Sequence, residues 1–234
     1  MTIPLRPLPL AGSEKVTPDA KTQRVNGGRA SGIYANHGKR VLDIVIVLLA
    51  LPFVLPLMAF IAVALRREGG GAFFVQKRIG RGGRVFSLIK FRTMVPDAEA
   101  RLQAFLDADP ALRDEWDATQ KLKSDPRITP LGNILRRTSM DELPQLINVL
   151  RGDMSLIGPR PMMLGQLELY GPHIASYVAL RPGISGAWQV SERNDAFFVR
   201  RAEIDAEYAR DVSLRRDLGI LVDTLRVVWR ATGY

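Results

Sequence analysis

Two adjacent carboxylates, Asp141 and Glu142, lie near the middle of this chain of 234 residues. Arg136 and Arg137 precede them, and the segment Gly158-Pro159-Arg160-Pro161 follows. Carboxylate oxygens are ligands that Mg²⁺ accepts, and arginine binds phosphate through two parallel hydrogen bonds. The pattern is therefore typical of a site that handles a phosphorylated substrate with the help of a metal ion.

The same stretch also has the pattern of a helix start. Ser139 with Glu142 three positions later is a capping box in sequence, and acidic residues in a first helical turn are favoured by the helix dipole. Apolar residues then recur with helical spacing at Leu143, Leu146, Ile147 and Leu150. From the residues alone, both a catalytic pair and a helix cap stay open.

Three more basic side chains are candidates for contact with phosphate. Pro159 and Pro161 restrict the backbone on both sides of Arg160, so its guanidinium is presented by a stiff loop. Lys90 and Arg92 alternate along a predicted strand and therefore share one face of it. We expect these three side chains to contact anions.

The elements around these residues are predicted to be mostly helical, with one small β-hairpin. Apolar runs at 72–75 and 85–91 flank a glycine-rich turn at 80–83, which indicates two short antiparallel strands. Residues 96–123 have a helical pattern that Pro110 interrupts. Trp188 is expected either to stack on a base or sugar or to pack in the core.

The last predicted helix, about Leu214 to Trp229, carries a stripe of apolar residues with arginines around it. The stripe consists of Leu214, Leu218, Leu221, Leu225 and Val228. Packing in the core is the first explanation of this stripe. A helix that lies on an anionic membrane surface is the alternative.

Composition limits the classes of protein that the chain can represent. With 47% hydrophobic residues and no cysteine, it can build a packed core, but not disulfides or thiolate metal sites. Its two histidines, His37 and His173, are far apart, which argues against a zinc centre. The net charge of +9 indicates a polyanionic partner: nucleic acid, an anionic membrane or a phosphorylated small molecule.

A membrane segment is predicted from residues 44–65, 22 consecutive positions without a charge, which as a helix would be roughly 33 Å long. Pro52 and Pro56 near its centre would break or kink it. Basic residues flank both ends, whereas a straight span should show an asymmetry. We therefore favour a re-entrant helix-break-helix hairpin over a straight span, and we expect Asp43 to pair with the lysine and arginine of its entry.

The sequence thus divides into a disordered basic tail at 1–38, a re-entrant membrane helix at 39–67 and a compact domain at 68–234, which the hairpin would place on the cytoplasmic side. The expected fold class is α+β. It combines the membrane hairpin with a compact, mostly helical domain that contains a small β-hairpin and interfacial amphipathic helices.

Several long segments, in this order, resemble one known family. They are VQKRIGRGGRVFSLIKFRTM, LRRTSMDELPQLINVLRGDMSLIGPRP and RPGISGAWQ, behind a proline-broken apolar helix. The chain resembles the bacterial sugar transferases, the monotopic polyprenol-phosphate phosphoglycosyl transferases, over about residues 38–234. Within the family, WDATQKLKSDPRIT and the short C-terminus resemble the galactose-phosphate transferase that starts succinoglycan-type exopolysaccharide synthesis.

The resemblance implies transfer of a hexose-1-phosphate, galactose or glucose, from a UDP-sugar to undecaprenyl phosphate with release of UMP. It implies Asp141 as the nucleophile that carries a covalent phosphosugar and Glu142 as a ligand to Mg²⁺. Substrate-binding residues carried over in the same way are Lys90, Arg136, Pro159, Arg160 and Pro161.

The resemblance also places the protein at the bacterial inner membrane, with the catalytic domain on the cytoplasmic face. The expected partners are the UDP-sugar, undecaprenyl phosphate and membrane lipid, without nucleic acid, and a homodimer stays open. A different class of function is a membrane-anchored scaffold without catalysis. Such a scaffold would bind acidic lipid or nucleic acid through its basic surface.

Overall fold

The structure, a computed structural model, describes residues 32–119, 122, 125–191 and 198–229. The predicted disordered tail lies mostly outside these residues, because its first 31 positions are not among them. Its final part forms a π-helical turn, Tyr34–Gly38, that continues directly into the first α-helix. The helical segment therefore begins before the predicted end of the tail.

Helix α1 extends over Lys39–Arg67 and is the one helix in the described part of the chain that is long and apolar enough to cross a membrane. Only 17% of its most apolar window is buried, so it is not the central helix of a soluble core. Pro52 and Pro56 lie inside a continuous helix, where the sequence predicted a break. The re-entrant path through a membrane stays a prediction.

The predicted hairpin is confirmed. Strands β1, Phe73–Ile79, and β2, Val85–Phe91, pair antiparallel around the glycine turn. In this register Phe74 lies opposite Lys90 and Gln76 opposite Leu88. Since alternate residues share a face, the side that carries Lys90 also carries Phe74, Gln76 and Arg78.

Helices α2, Ala98–Ala108, and α3, Pro110–Thr119, follow, with the interruption at the predicted proline. Helix α4, Pro130–Arg137, begins with proline at its first position, and the Thr129 hydroxyl accepts from the Gly132 amide at 2.9 Å. Gly132 has to be glycine, because a Cβ there would lie 2.0 Å from the Thr93 carbonyl oxygen. This close approach docks α4 against the end of β2.

The second half of the chain wraps short elements around a parallel pair of strands, β3, Ser155–Ile157, and β4, Gly183–Ser185. The remaining α-helices in the described part of the chain are α5, Gln145–Arg151; α6, Ile174–Ala179; α7, Ala187–Ser191; α8, Phe198–Arg210; and α9, Leu214–Trp229. Two small sheets and predominant helix, with one long apolar helix near the start, agree with the predicted α+β class.

Helix α9 has the predicted bounds, but core packing of its apolar stripe is wrong at most of the positions that the structure describes, where Leu221 alone packs, against the cluster around Ile220. Leu214, Leu218 and Leu225 are 46%, 45% and 70% exposed, and the buried positions are Asp217 and Ile220. The exposed apolar face fits the alternative that the sequence left open, a helix on a membrane surface.

Apolar contacts join α1 to the domain along most of its length. Val47 packs in one cluster with Phe86 and Leu88 of β2, while Met58 and Leu65 pack in another that includes Phe91. The long helix therefore packs against the domain at several points along its length rather than at one end only.

Polar contacts fix the start of α1, although the predicted partners of Asp43 were wrong. Asp43 is buried and accepts from Ser155 Oγ at 3.1 Å and from the Leu156 amide at 3.0 Å. Lys39 pairs instead with the buried carboxylate of Asp217 on α9, which also accepts from the Tyr208 hydroxyl. Asp43 and Lys39 thus bind partners that are distant in sequence, which local sequence cannot reveal, instead of each other.

Asn148 of α5 joins its helix to β2 from a fully buried position. Its Oδ1 accepts from the Ile89 amide at 3.1 Å, and its Nδ2 donates to the Ser87 carbonyl at 2.8 Å. These bonds satisfy an amide and a carbonyl on the strand that carries Lys90. The position of that lysine depends on them.

We expect Asn148→Ala to lower the free energy of unfolding by about 2 to 4 kcal/mol, because one buried donor and one buried acceptor lose their partners. Thermal unfolding of the purified chain in detergent, followed by circular dichroism, measures the change. Gln103→Ala is the control, since that side chain makes one exposed hydrogen bond, to Asp107. Equal melting temperatures for the two variants would contradict this role of Asn148.

Candidate active site

The two adjacent carboxylates lie in a short 3₁₀ turn, Met140–Glu142, between α4 and α5. The capping box predicted for this turn is wrong. Ser139 has a left-handed backbone, with φ of 56°, and its side chain caps no amide. The Glu142 side chain bonds to Lys90 instead, so a long-range cation has displaced the local cap.

Lys90 of β2 joins the pair from across the cavity. Its Nζ lies 2.7 Å from Glu142 Oε1 and 3.8 Å from Asp141 Oδ2. All three side chains are about a fifth exposed or less, so water screens their charges only in part. The lysine therefore offsets the repulsion between two neighbouring carboxylates.

Arg136 approaches the pair from the last turn of α4. Its Nε donates to the Thr93 hydroxyl at 2.9 Å, which fixes the plane of the guanidinium. Burial lowers the pKa of Arg136, and the nearby charge of Asp141 opposes that shift. Thr93 was not identified from the sequence, although it belongs to the same segment as Lys90.

Arg160 is exposed between two buried prolines, Pro159 and Pro161. The Pro159 carbonyl accepts from the Gly183 amide at 2.8 Å, and the Pro161 carbonyl accepts from Arg78 Nη1 at 3.0 Å. The positive charge of Arg160 acts to lower the pKa of both Asp141 and Glu142. The loop thus holds one more cation near the carboxylates.

The environment shifts the pKa values of the two carboxylates in opposite directions. Burial raises the pKa of Asp141 above its usual range, and the charge of Glu142 adds to that rise while Lys90 opposes it. Burial also acts to raise the pKa of Glu142, but Lys90, Arg160 and a hydrogen bond from Gln145 together bring it below its usual range. Paired carboxylates with separated pKa values are a feature of sites that divide two roles between them.

All five side chains line one cavity of about 1320 Å³, larger than most small-ligand sites. Its basic wall also includes Arg78, Arg92 and Arg127. Another part of its wall is apolar, with contributions from α1, β1, β4, α7 and α9: Leu57, Phe74, Ile184, Val190 and Val227. The cavity thus combines a cationic region with an apolar one.

Arg78 was missed as a residue of the cavity. Strand alternation was the available signal, since it places Arg78 on the face of β1 that lies beside Lys90 of β2. Burial and the nearby charge of Arg160 lower the pKa of Arg78 to about 10. Arg78 holds the Pro-Arg-Pro loop through the carbonyl of Pro161.

The other residues singled out from the sequence have different positions. Arg92 lines the cavity, but its Nη2 donates to the Leu65 carbonyl at the end of α1. Trp188 is a buried residue of α7 at the cavity wall, with the Arg201 guanidinium 4.6 Å from its ring centre. Pro52 and Pro56 are exposed on α1 and do not line the cavity.

Comparison with known proteins gives a consistent result. The family model described as bacterial sugar transferase matches residues 34–231. The chain is 44% identical over 195 residues to the undecaprenyl-phosphate galactose phosphotransferase of Salmonella typhimurium, which covers 83% of the chain and 41% of that protein. It is 41% identical over 196 residues to the exopolysaccharide production protein ExoY of Sinorhizobium fredii. These residues are 83% of the chain and 87% of that protein.

A third relative is the UDP-glucose:undecaprenyl-phosphate glucose-1-phosphate transferase of Caulobacter vibrioides. It is 37% identical over 208 residues, which are 85% of the chain and 72% of that protein. Several of the curated relatives are longer proteins, of which the chain spans 41% to 44%. Because the family model matches most of the chain, including the carboxylate pair and its cations, the protein belongs to the bacterial sugar transferase family.

Proposed function

We propose that the protein transfers a hexose-1-phosphate from a UDP-sugar to undecaprenyl phosphate and releases UMP, as the first step of exopolysaccharide or other surface glycan synthesis. The observation that carries the proposal is one cavity in which two partly buried carboxylates face several cations beside an apolar wall. Such a cavity suits a diphosphate donor and a lipid acceptor together. The names of the relatives include both galactose and glucose, so either sugar fits the proposal.

The proposed reaction has two displacements at the sugar-bearing phosphorus. A carboxylate oxygen of Asp141 attacks that phosphorus. The bond between this phosphorus and the oxygen that bridges the diphosphate breaks, and UMP leaves with that oxygen. A phosphate oxygen of undecaprenyl phosphate then attacks the phosphorus of the aspartyl phosphosugar. The bond to Asp141 breaks, and the carboxylate returns to its first state.

The surrounding cations let a carboxylate approach a diphosphate. Lys90, Arg136 and Arg160 each act to lower the pKa of Asp141, which shows that they favour its charged form. The same cations stabilise the negative charge that moves to the phosphoryl oxygens and to UMP. Their fixed positions mean that little reorganisation is needed during the reaction.

Mg²⁺ is the proposed cofactor, and the donor set is compatible with it. Among the described residues, no group of three or more His, Cys, Asp or Glu side chains lies together. Mg²⁺ usually takes only one or two carboxylates and completes its shell with waters and substrate phosphates, so Glu142 beside Asp141 is sufficient. When bound, the ion would neutralise charge on the diphosphate and on the departing UMP.

The position of α1 supports a membrane-surface site. Its first turns pack against α9, β3 and β2, and its last turns pack against β2 and α4. A helix perpendicular to the bilayer would hold a domain at one end only, so contacts at both ends favour the re-entrant hairpin. We propose that both ends of α1 and the catalytic domain lie on the cytoplasmic face of the inner membrane.

Asp141→Asn removes the proposed nucleophile with little change in shape. We expect the release of UMP from UDP-galactose or UDP-glucose, with Mg²⁺ and undecaprenyl phosphate in detergent, to fall by at least about a thousandfold. We also expect mass spectrometry to find a hexose-phosphate adduct on the unmodified chain when the lipid is omitted, but none on this variant. Asp107→Asn, on an exposed carboxylate, is the control. Full activity of Asp141→Asn with an intact fold would refute the nucleophile.

Lys90→Met tests the shared cation. We expect kcat/KM to fall by about a hundredfold or more, because the carboxylates lose the charge that offsets their repulsion with the diphosphate. Lys77→Met changes the same charge on the neighbouring strand and should retain activity, because within the described residues that lysine bonds only to Ser87, in an exposed position. Lys90→Arg should restore part of the loss. Equal effects of the two methionine variants would contradict a specific role of Lys90.

The topology of α1 is testable because the chain has no cysteine. Asn36→Cys and Glu68→Cys introduce exposed thiols near the two ends of the helix. We expect a membrane-impermeant maleimide to label both only after the inner membrane is opened, as it should label Gln103→Cys in the domain. Labelling of Asn36→Cys in intact spheroplasts would indicate a straight span and would refute the re-entrant hairpin.

A further inference from the structure

A second depression lies at the tip of the β-hairpin and shares no lining residue with the catalytic cavity. Its volume is about 410 Å³. It is lined by Gly80, Arg81, Gly82, Arg84, Phe86, Gly152, Asp153 and Arg181. Three arginines around one acidic residue give it a strongly positive wall.

Arg40 of α1 adds a fourth cation behind this wall. Gly152 lies between the depression and the guanidinium of Arg40. A Cβ at Gly152 would lie 3.6 Å from Arg40 Nη2, so the guanidinium is close behind the wall. Arg40 donates to the carbonyls of Val149 and Leu150, and Arg181 donates to the carbonyl of Gly152 at 2.9 Å. Main-chain carbonyls hold these guanidinium groups in place without neutralising their charge.

The four arginines have no salt bridge within the described part of the chain. Burial lowers the pKa of Arg181, and the nearby charges of Arg81 and Arg40 lower it further, while the charge of Asp43 opposes the shift. Like charges held together in this way repel one another. A bound anion would remove that repulsion.

The rim of the depression leaves room for such an anion. Gly82 and Gly83 have positive φ of 68° and 75°, and no heavy atom lies within 4 Å of a Cβ built on either of them. Glycine is required there by the backbone conformation, not by crowding. A turn without side chains lets a phosphate approach the main chain between Arg81 and Arg84.

The surroundings indicate where that anion comes from. Arg40 is followed on α1 by the exposed apolar residues Val41 and Val45, and Val85 beside Arg84 is 54% exposed. Apolar side chains next to unpaired arginines are typical of the boundary between acyl chains and headgroups. A soluble phosphate would need no such apolar neighbours.

We propose that Arg81, Arg84 and Arg181, around the glycine turn and backed by Arg40, bind the phosphate of an anionic membrane lipid. This site is separate from the one for undecaprenyl phosphate, and it rests on the proposed membrane position of α1. It would hold the hairpin tip, and with it β2, at the membrane surface.

The test uses the full chain in nanodiscs of phosphatidylcholine, alone or with phosphatidylglycerol, and follows hydrogen exchange of the amides at 78–86. We expect phosphatidylglycerol to slow this exchange by about fivefold or more. The slowing should be lost in the double variant Arg81→Gln, Arg84→Gln. It should persist in Arg66→Gln, Arg67→Gln, which removes the same charge from exposed positions at the other end of α1.

Three results would overturn the proposal: no slowing in the unmodified chain, equal slowing in both double variants, or the same slowing by inorganic phosphate in phosphatidylcholine discs. The last would identify a soluble phosphate as the ligand. Release of UMP by the unmodified chain, measured in the same discs, tests the proposed reaction separately. Loss of lipid protection and loss of transfer are therefore distinguishable.

Discussion

Repulsion between negative charges is the constraint on which this structure depends. Two adjacent carboxylates face a cavity that suits phosphates, and two unit charges 4 Å apart near a protein surface interact by about 4 kcal/mol. An exposed salt bridge contributes at most about 1 kcal/mol, so mobile surface lysines could not offset such repulsion. The cations have to be fixed and partly buried, as Lys90 and Arg136 are.

Fixed cations explain why such short elements surround the cavity. Lys90 depends on a strand that Asn148 joins to α5, Arg136 depends on the hydroxyl of Thr93, and Arg160 depends on a loop that Arg78 and Gly183 hold. Each cation is thus positioned by a contact that is distant in sequence. The short helices and two-stranded sheets provide these contacts.

The dependence on distant contacts also sets the limit of sequence-based prediction. The β-hairpin, the interruption at Pro110 and the bounds of α9 were predictable because they follow from local periodicity and turn residues. The capping role of Glu142 was wrong because Lys90, 52 positions away, binds that carboxylate. Resemblance to a family identified the cluster of Asp141, Glu142, Lys90, Arg136 and Arg160, which composition and spacing alone left open.

The orientation of α9 was wrong for a related reason. Hydrophobicity favoured leucines inside, but the buried pair of Lys39 and Asp217 lies on an inward face that buries Asp217 and Ile220 and leaves Leu218 exposed. Replacing a buried ion pair by well-packed apolar residues is often neutral or stabilising, so we infer that this pair selects one arrangement of α9 rather than adding much stability. The pair of Lys39 and Asp217 joins the start of α1 to α9. It therefore fixes the exposed apolar surfaces of these two helices relative to the same domain. Because Val227 on the same helix lines the catalytic cavity, this pair also connects the proposed membrane contact with the place where the lipid substrate would react.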